Sequence, residues 1–173
     1  MTFAELADGL ASIPHGLTDV VARRVQNCTG TLYFIGNGGS AAIASHMAAD
    51  YTKNAKRRAM CFNDPALVTC LANDLGYGSG FSFPIKQFGR PEDMLFAISS
   101  SGRSINIINA VHAAEAIGMT IITLSGFDAD NLLQRMGNVN FYIPSHKYGV
   151  VETCHLAICH MILDAVIEGQ NGA

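Results

Sequence analysis

The 173-residue sequence carries no excess of basic residues, no C-x-x-C pair, no G-K-[ST] loop, and no repeat or low-complexity tract. Each absence closes off a class of function. A formal charge of −3 argues against nucleic acid held by a basic face. Five cysteines, Cys28, Cys61, Cys70, Cys154 and Cys159, form an odd set without close pairs, which points to a reduced, cytoplasmic setting rather than a disulfide framework. The first residues carry Glu5 and Asp8 instead of a basic-then-apolar leader, and no apolar stretch reads as the ~18–20 residues of a membrane span. A soluble protein with no membrane partner is expected. Without a Walker-type lysine, Walker-type triphosphate binding is not expected.

The length suffices to bury ~70% of the surface of the unfolded chain, so one domain over residues 1–173 needs no staple. Five runs read as strands: Thr31 to Gly36, Arg58 to Phe62, Met94 to Ser99, Thr120 to Ser125 and Val139 to Pro144. Most are continuously apolar, as strands covered on both faces are. Helical patterns lie between them at Ser40 to Lys53, Asp64 to Leu75, Ile105 to Gly118 and Asp128 to Met136. Two more flank the unit, Leu17 to Cys28 and Val151 to Ile167, the second apolar nearly all round and therefore destined for the core or a subunit interface. Alternating strands and helices predict a three-layer α/β fold with a parallel sheet in the flavodoxin-like order 2-1-3-4-5.

In that order the first and third strands are neighbours, and each is followed by a glycine- and serine-rich loop. The loops are Gly36-Asn37-Gly38-Gly39-Ser40 and Ser99-Ser100-Ser101-Gly102-Arg103-Ser104. Glycine admits an oxyanion close to the backbone, serine adds hydroxyl donors, and the helix N-terminus that follows supplies free N–H groups. The pair predicts a crevice for a sugar phosphate or nucleotide. Gly36, Gly38 and Ala41 also fit the relaxed dinucleotide fingerprint, but its acid belongs ~20 residues on, whereas Asp64 comes later and precedes Pro65.

Beyond the first loop, His46 and Asp50 stand one helical turn apart on one face, able to bind a metal or transfer protons, or to form a plain solvated face. Glu152, His155 and His160 open the apolar C-terminal helix, where burial requires a partner or a ligand. Glu152 and His160 are ~12 Å apart along a regular helix, so spacing alone argues weakly for a shared metal. Cys154 and Cys159 read as packing residues.

Taken together, Gly36 to Ala41, His46 with Asp50, Asn73-Asp74, the serine loop and Glu152 to His160 resemble the phosphoheptose isomerases of the sugar isomerase (SIS) domain superfamily, in order, from Thr31 to Glu168. The resemblance implies a cytoplasmic homotetramer with sites between subunits that converts sedoheptulose 7-phosphate to D-glycero-D-manno-heptose 7-phosphate, often with zinc. Asn37, Gly38, Ser40, Ser99, Ser100, Ser101 and Ser104 would bind substrate and its phosphate, and Asn73 and Asp74 would contact the sugar. His46, Asp50, Glu152 and His160 would be the metal ligands, with Asp50 as base and His160 as acid or polarising group.

This sequence departs from the family pattern at named places. Asp50 replaces a glutamate, Glu152 a glutamine and Arg103 an asparagine. Asn54 stands where an arginine is usual, with Lys53, Lys56, Arg57 and Arg58 close by. The segment before the first strand is short, predicting a reduced N-terminal helix pair. The expected activity is aldose–ketose isomerisation of a phosphorylated heptose. The alternatives are a non-catalytic sugar-phosphate-binding adaptor or regulator, and isomerisation of a hexulose phosphate.

Overall fold

Apolar strands with no polar face pair in parallel because helices cover both of their sides. The computed structural model describes residues 1–171. Its strands are β1 (Leu32–Gly36), β2 (Ala59–Cys61), β3 (Met94–Ser99), β4 (Thr120–Gly126) and β5 (Val139–Ile143). They form one parallel sheet in the order β2-β1-β3-β4-β5, as the sequence predicts. The helices are α1 (Phe3–Ala11), α2 (Leu17–Asn27), α3 (Gly39–Lys53), α4 (Pro65–Leu75), α5 (Ser82–Phe88), α6 (Ile105–Ile117) and α7 (Tyr148–Asn171), with short 3₁₀ turns at Tyr77–Ser79 and Leu133–Arg135.

Side chains alternate along each strand between two cores. Leu32, Phe34, Phe96, Ile122 and Phe141 pack against α2, α3 and α7, while Tyr33, Ile35, Leu95, Ala97 and Ile121 pack against α5 and α6. Phe34 stacks on Phe96 with ring centroids 4.6 Å apart, and Tyr51 of α3 closes over Phe34 at 5.3 Å. The length and composition of α7 match a membrane span, which the reading of the sequence missed. Its residues Val150, Val151, Cys154, Ile158, Ile162 and Val166 are buried, so it is the central core helix instead. Cys154 and Cys159 are packing residues there, as expected.

Three elements differ from the sequence-based expectation. The helix predicted for Asp128 to Met136 is a loop with one 3₁₀ turn. Asn131, fully buried, donates through Nδ2 to the carbonyls of Gly126 and Asp128 and accepts at Oδ1 from the Gln134 N–H. A side chain that binds the local backbone in this way displaces the helical ladder. The unforeseen α1 begins with a capping box in which the Thr2 hydroxyl accepts from the Glu5 N–H and the Glu5 carboxylate accepts from the Thr2 N–H. The N-terminal pair is thus present, as helices of 9 and 11 residues. The 7-residue α5 is too short for its periodicity to register in the sequence.

His155 of α7 is wholly buried, and its Nε2 lies 3.1 Å from the Ser125 carbonyl of β4. Burial pulls its pKa down to about 4, because the neutral ring is tolerated there and the imidazolium is not. The unfolded chain therefore takes up this proton first as pH falls, and the stabilisation present above pH ~6.5 is lost on the way down to pH ~4. We expect unfolding free energy from urea titrations to drop by about 3 kcal/mol across that window. In His155→Leu, whatever its absolute stability, the slope attributable to this ring is expected to vanish; an unchanged slope would assign it to other groups.

Candidate active site

Gly36 pairs with Ile98 in the β1–β3 ladder, so the loops following the two strands leave the sheet side by side where the strand order reverses. The first loop turns into α3 through Gly38, whose φ of +55° suits glycine and strains any other residue. The second ends at Ser104, the N-cap of α6. Between them lies a cleft of about 290 Å³ lined by Asn37, Gly38, Gly39, Ser40, Ser99, Ser100, Ser101 and Ser104, with Tyr148 and Glu152 of α7 as the opposite wall. Every residue assigned to phosphate from the sequence lines this one cleft. Tyr148 was not foreseen, and a lone tyrosine opening a helix gives no signal for it.

The loops present hydroxyls and helix N-termini to the cleft. Ser40, Ser99 and Ser100 are all at least nine-tenths buried, and the Ser100 hydroxyl has no hydrogen-bond partner. An unsatisfied buried hydroxyl costs ~1–3 kcal/mol, a deficit that an anion oxygen in the cleft removes. The first turns of α3 and α6 supply N–H groups and the positive ends of their dipoles. No lysine or arginine lines the cleft among the described residues. Arg103 instead turns to Asp130 (2.7 Å) and Asp128 (3.8 Å) at the surface.

The loop after β4 braces the serine loop from behind. The Gly126 N–H donates to the Ser100 carbonyl, and the Leu133 N–H to the Gly102 carbonyl, at 3.0 and 3.1 Å. Gly102 has φ +60°, and a Cβ there would stand 2.0 Å from Oδ1 of the buried Asn131. The same asparagine that unmakes the predicted helix therefore backs the serine loop at Gly102.

Further along α3 and α7, His46, Asp50 and His160 converge, their ligand atoms all within 4.8 Å of one another. Nε2 of His46 is 3.5 Å from Oδ2 of Asp50, and the two imidazoles meet edge to face at 5.3 Å. Two imidazoles and a carboxylate suit zinc, whose tetrahedral ligands sit ~3.3 Å apart, and three protein ligands leave a fourth position open as catalytic sites require. Glu152 lies outside this group: its carboxylate rests over Gly39, on the cleft wall. The adjacent Cys159 thiol, pushed up to about 12 by burial, stays protonated. Asn73 and Asp74 sit at the exposed end of α4, the Asn73 amide donating to the Asp74 carboxylate at 2.7 Å, and do not line the cleft.

A serine- and glycine-lined cleft at the switch point of a 2-1-3-4-5 sheet marks a ligand-binding α/β protein, and residues 14–126 match the pattern of the SIS domain. The chain belongs to the SIS domain family and, within it, to the phosphoheptose isomerases. The phosphoheptose isomerase of Leptospira biflexa is 37% identical over 149 residues, covering 82% of this chain and 75% of that one. That of Thiobacillus denitrificans is 34% identical over 171 residues, covering 94% and 86%. The structure of phosphoheptose isomerase GmhA from Neisseria gonorrhoeae superposes with a TM-score of 0.86 at 31% identity, over 95% of this chain and 94% of that one. The Vibrio vulnificus NanR protein complexed with ManNAc-6P, at 17% identity and a TM-score of 0.74, shares the fold alone.

Gly102→Ala combines a positive φ, costing ~1–3 kcal/mol off glycine, with a collision against Asn131. Calorimetric titration with inorganic phosphate is expected to show affinity at least about tenfold weaker than wild type. Equal affinity would mean that the serine loop does not hold the anion.

Proposed function

We propose that this chain interconverts sedoheptulose 7-phosphate and D-glycero-D-manno-heptose 7-phosphate through an enediol intermediate. It is a sugar-phosphate isomerase. One observation carries the reading: α3 and α7 each contribute residues both to the anion cleft and to the His46–Asp50–His160 cluster. Ser40 and His46 are ~9 Å apart along α3. Six C–C bonds in an extended sugar span about 8 Å, so the separation of the cleft from the near end of the cluster is on the scale of a heptose chain.

Ser40 and the serine loop clamp the phosphate and fix the open-chain sugar in register. The Asp50 carboxylate takes the proton from C1 of the ketose, the C–H electron pair becomes the C1–C2 double bond, and His160 delivers a proton to O2. Loss of the O1 proton and return of a proton to C2 then give the aldose, so atoms and charge balance over the cycle. Asp50 is one methylene shorter than the glutamate of the family pattern and must approach the carbon more closely. His46, Asp50 and His160 would hold a zinc ion, which supplies Lewis-acid polarisation of the sugar oxygens when bound. Glu152, on the cleft wall, accepts hydrogen bonds from sugar hydroxyls.

The exposed Asn73 and Asp74 fit a role across a subunit boundary, in a homotetramer with sites between its chains. Support comes from apolar side chains left open to solvent, among them Phe3, Ile105 and Met161. The five cysteines are free, consistent with a reducing cytoplasmic setting. A purely sensing adaptor would have no use for His46, Asp50 and His160 gathered beside the sugar, which favours the enzyme.

Asp50→Asn and His160→Ala are each expected to lower kcat on sedoheptulose 7-phosphate by about 10²–10⁴-fold, as loss of a general acid or base does. Steady-state assays of purified protein check this, and full turnover by either variant would sink the mechanism. Metal analysis of the same samples is expected to find zinc in the wild type and much less in the variants. A chelator-treated wild type that regains activity on adding zinc supports the cluster as its site; undiminished activity without metal refutes a catalytic role for the ion.

A further inference from the structure

The two phosphate loops are not merely adjacent but locked by a reciprocal pair of amides. Nδ2 of Asn37, in the glycine loop, donates to Oδ1 of Asn106 at 2.9 Å. Nδ2 of Asn106, in the first turn of α6, donates back to Oδ1 of Asn37 at 2.8 Å. Asn106 is 2% exposed, whereas Asn37 faces the cleft. A third group joins them: the Tyr77 hydroxyl, on the 3₁₀ turn after α4, sits 2.8 Å from Oδ1 of Asn37.

The orientation of both amides is dictated by the backbone. The Ile107 N–H lies 3.0 Å from the Asn106 side-chain oxygen, shared with the Ser104 carbonyl, and only an acceptor can face it. The Asn106 NH₂ is therefore the end that reaches Asn37, and the atom it reaches must be the Asn37 oxygen. With Asn37 Oδ1 already an acceptor, the Tyr77 hydroxyl donates to it. Two donors then occupy that oxygen, and one of the two Asn37 amide protons is spent on Asn106. What remains for the cleft is a single N–H.

We propose that Asn106 and Tyr77 are positioning residues that act through Asn37, fixing its amide so that it offers the cleft a donor and never an acceptor. The inference rests on the reading of the cleft as a sugar-phosphate site. It assigns Asn37 a specificity: the group it meets on the substrate is an oxygen with a free lone pair, not a hydroxyl proton. The lock also ties the start of α6 to the glycine loop, with Asn106 and Tyr77 themselves outside the lining of the cleft.

The test is a binding cycle with sedoheptulose 7-phosphate, measured by calorimetry on the purified protein. Removing one hydrogen bond to Asn37 frees its amide to rotate, so Asn106→Ala is expected to weaken binding about tenfold and Tyr77→Phe about threefold. Tyr77→Phe alters only an exposed hydroxyl and keeps the proposal testable should Asn106→Ala fold poorly. In an Asn37→Ala background neither substitution is expected to weaken binding further, because the group through which both act is gone. Losses that persist undiminished in that background would mark Asn106 and Tyr77 as merely structural and overturn the proposal. So would unaltered affinity of both single variants. If the wild type binds no sedoheptulose 7-phosphate, the functional reading itself falls and takes this inference with it, an outcome distinct from the other two.

Discussion

The parallel register between β1 and β3 is the constraint on which the site depends. Because Gly36 is level with Ile98, the two loops leave the sheet at the same height and diverge to helices on opposite faces, α3 on one side and α6 on the other. A crevice with helix N-termini on both lips follows from that alignment alone. Slipping the pairing by one residue would exchange the faces of β1, sending Phe34 and Tyr33 into each other's cores. The packing of Phe34 on Phe96 and Tyr51 therefore guards the chemistry as well as the fold.

Both loops of the cleft are made of neutral groups. Serine hydroxyls and backbone N–H groups line the loop side of the cleft and the Glu152 carboxylate its opposite wall, while the guanidinium of Arg103 is committed to Asp128 and Asp130 at the surface. Such a site draws its affinity from oriented dipoles at short range rather than from a diffuse field, so it depends on exact loop shape. That dependence explains the density of bracing behind the serine loop: two backbone hydrogen bonds from the segment after β4, and the buried Asn131 filling the space that glycine at position 102 leaves.

What the sequence revealed and what it hid divide along the range of the interactions. The strands, their order and both anion loops were legible because apolar continuity and glycine–serine turns are local signals. His46 and Asp50 were legible as a pair through helical spacing, and their meeting with His160 came from the family resemblance rather than from the residues alone. The segment Asp128 to Met136 was misread because its composition suits a helix, whereas Asn131 spends its side chain on nearby carbonyls, a competition that propensity does not record. Asn106 escaped notice for the opposite reason: an asparagine early in a helix is unremarkable until the partner 69 residues away is known. Glu152 was grouped with His160 through the resemblance, while the geometry seats it beside Gly39.

The long helix α7 carries Tyr148 and Glu152 at the cleft, His155 against β4 and His160 at the cluster, with core residues filling the rows between. One rigid rod thus indexes every functional group on its side of the crevice to every other. Gaining or losing a single residue between Glu152 and His160 would turn all that follows by ~100° and leave the histidine facing the wrong neighbours. The number of residues between Glu152 and His160 thus works as a ruler, setting where along the crevice each of the two side chains stands.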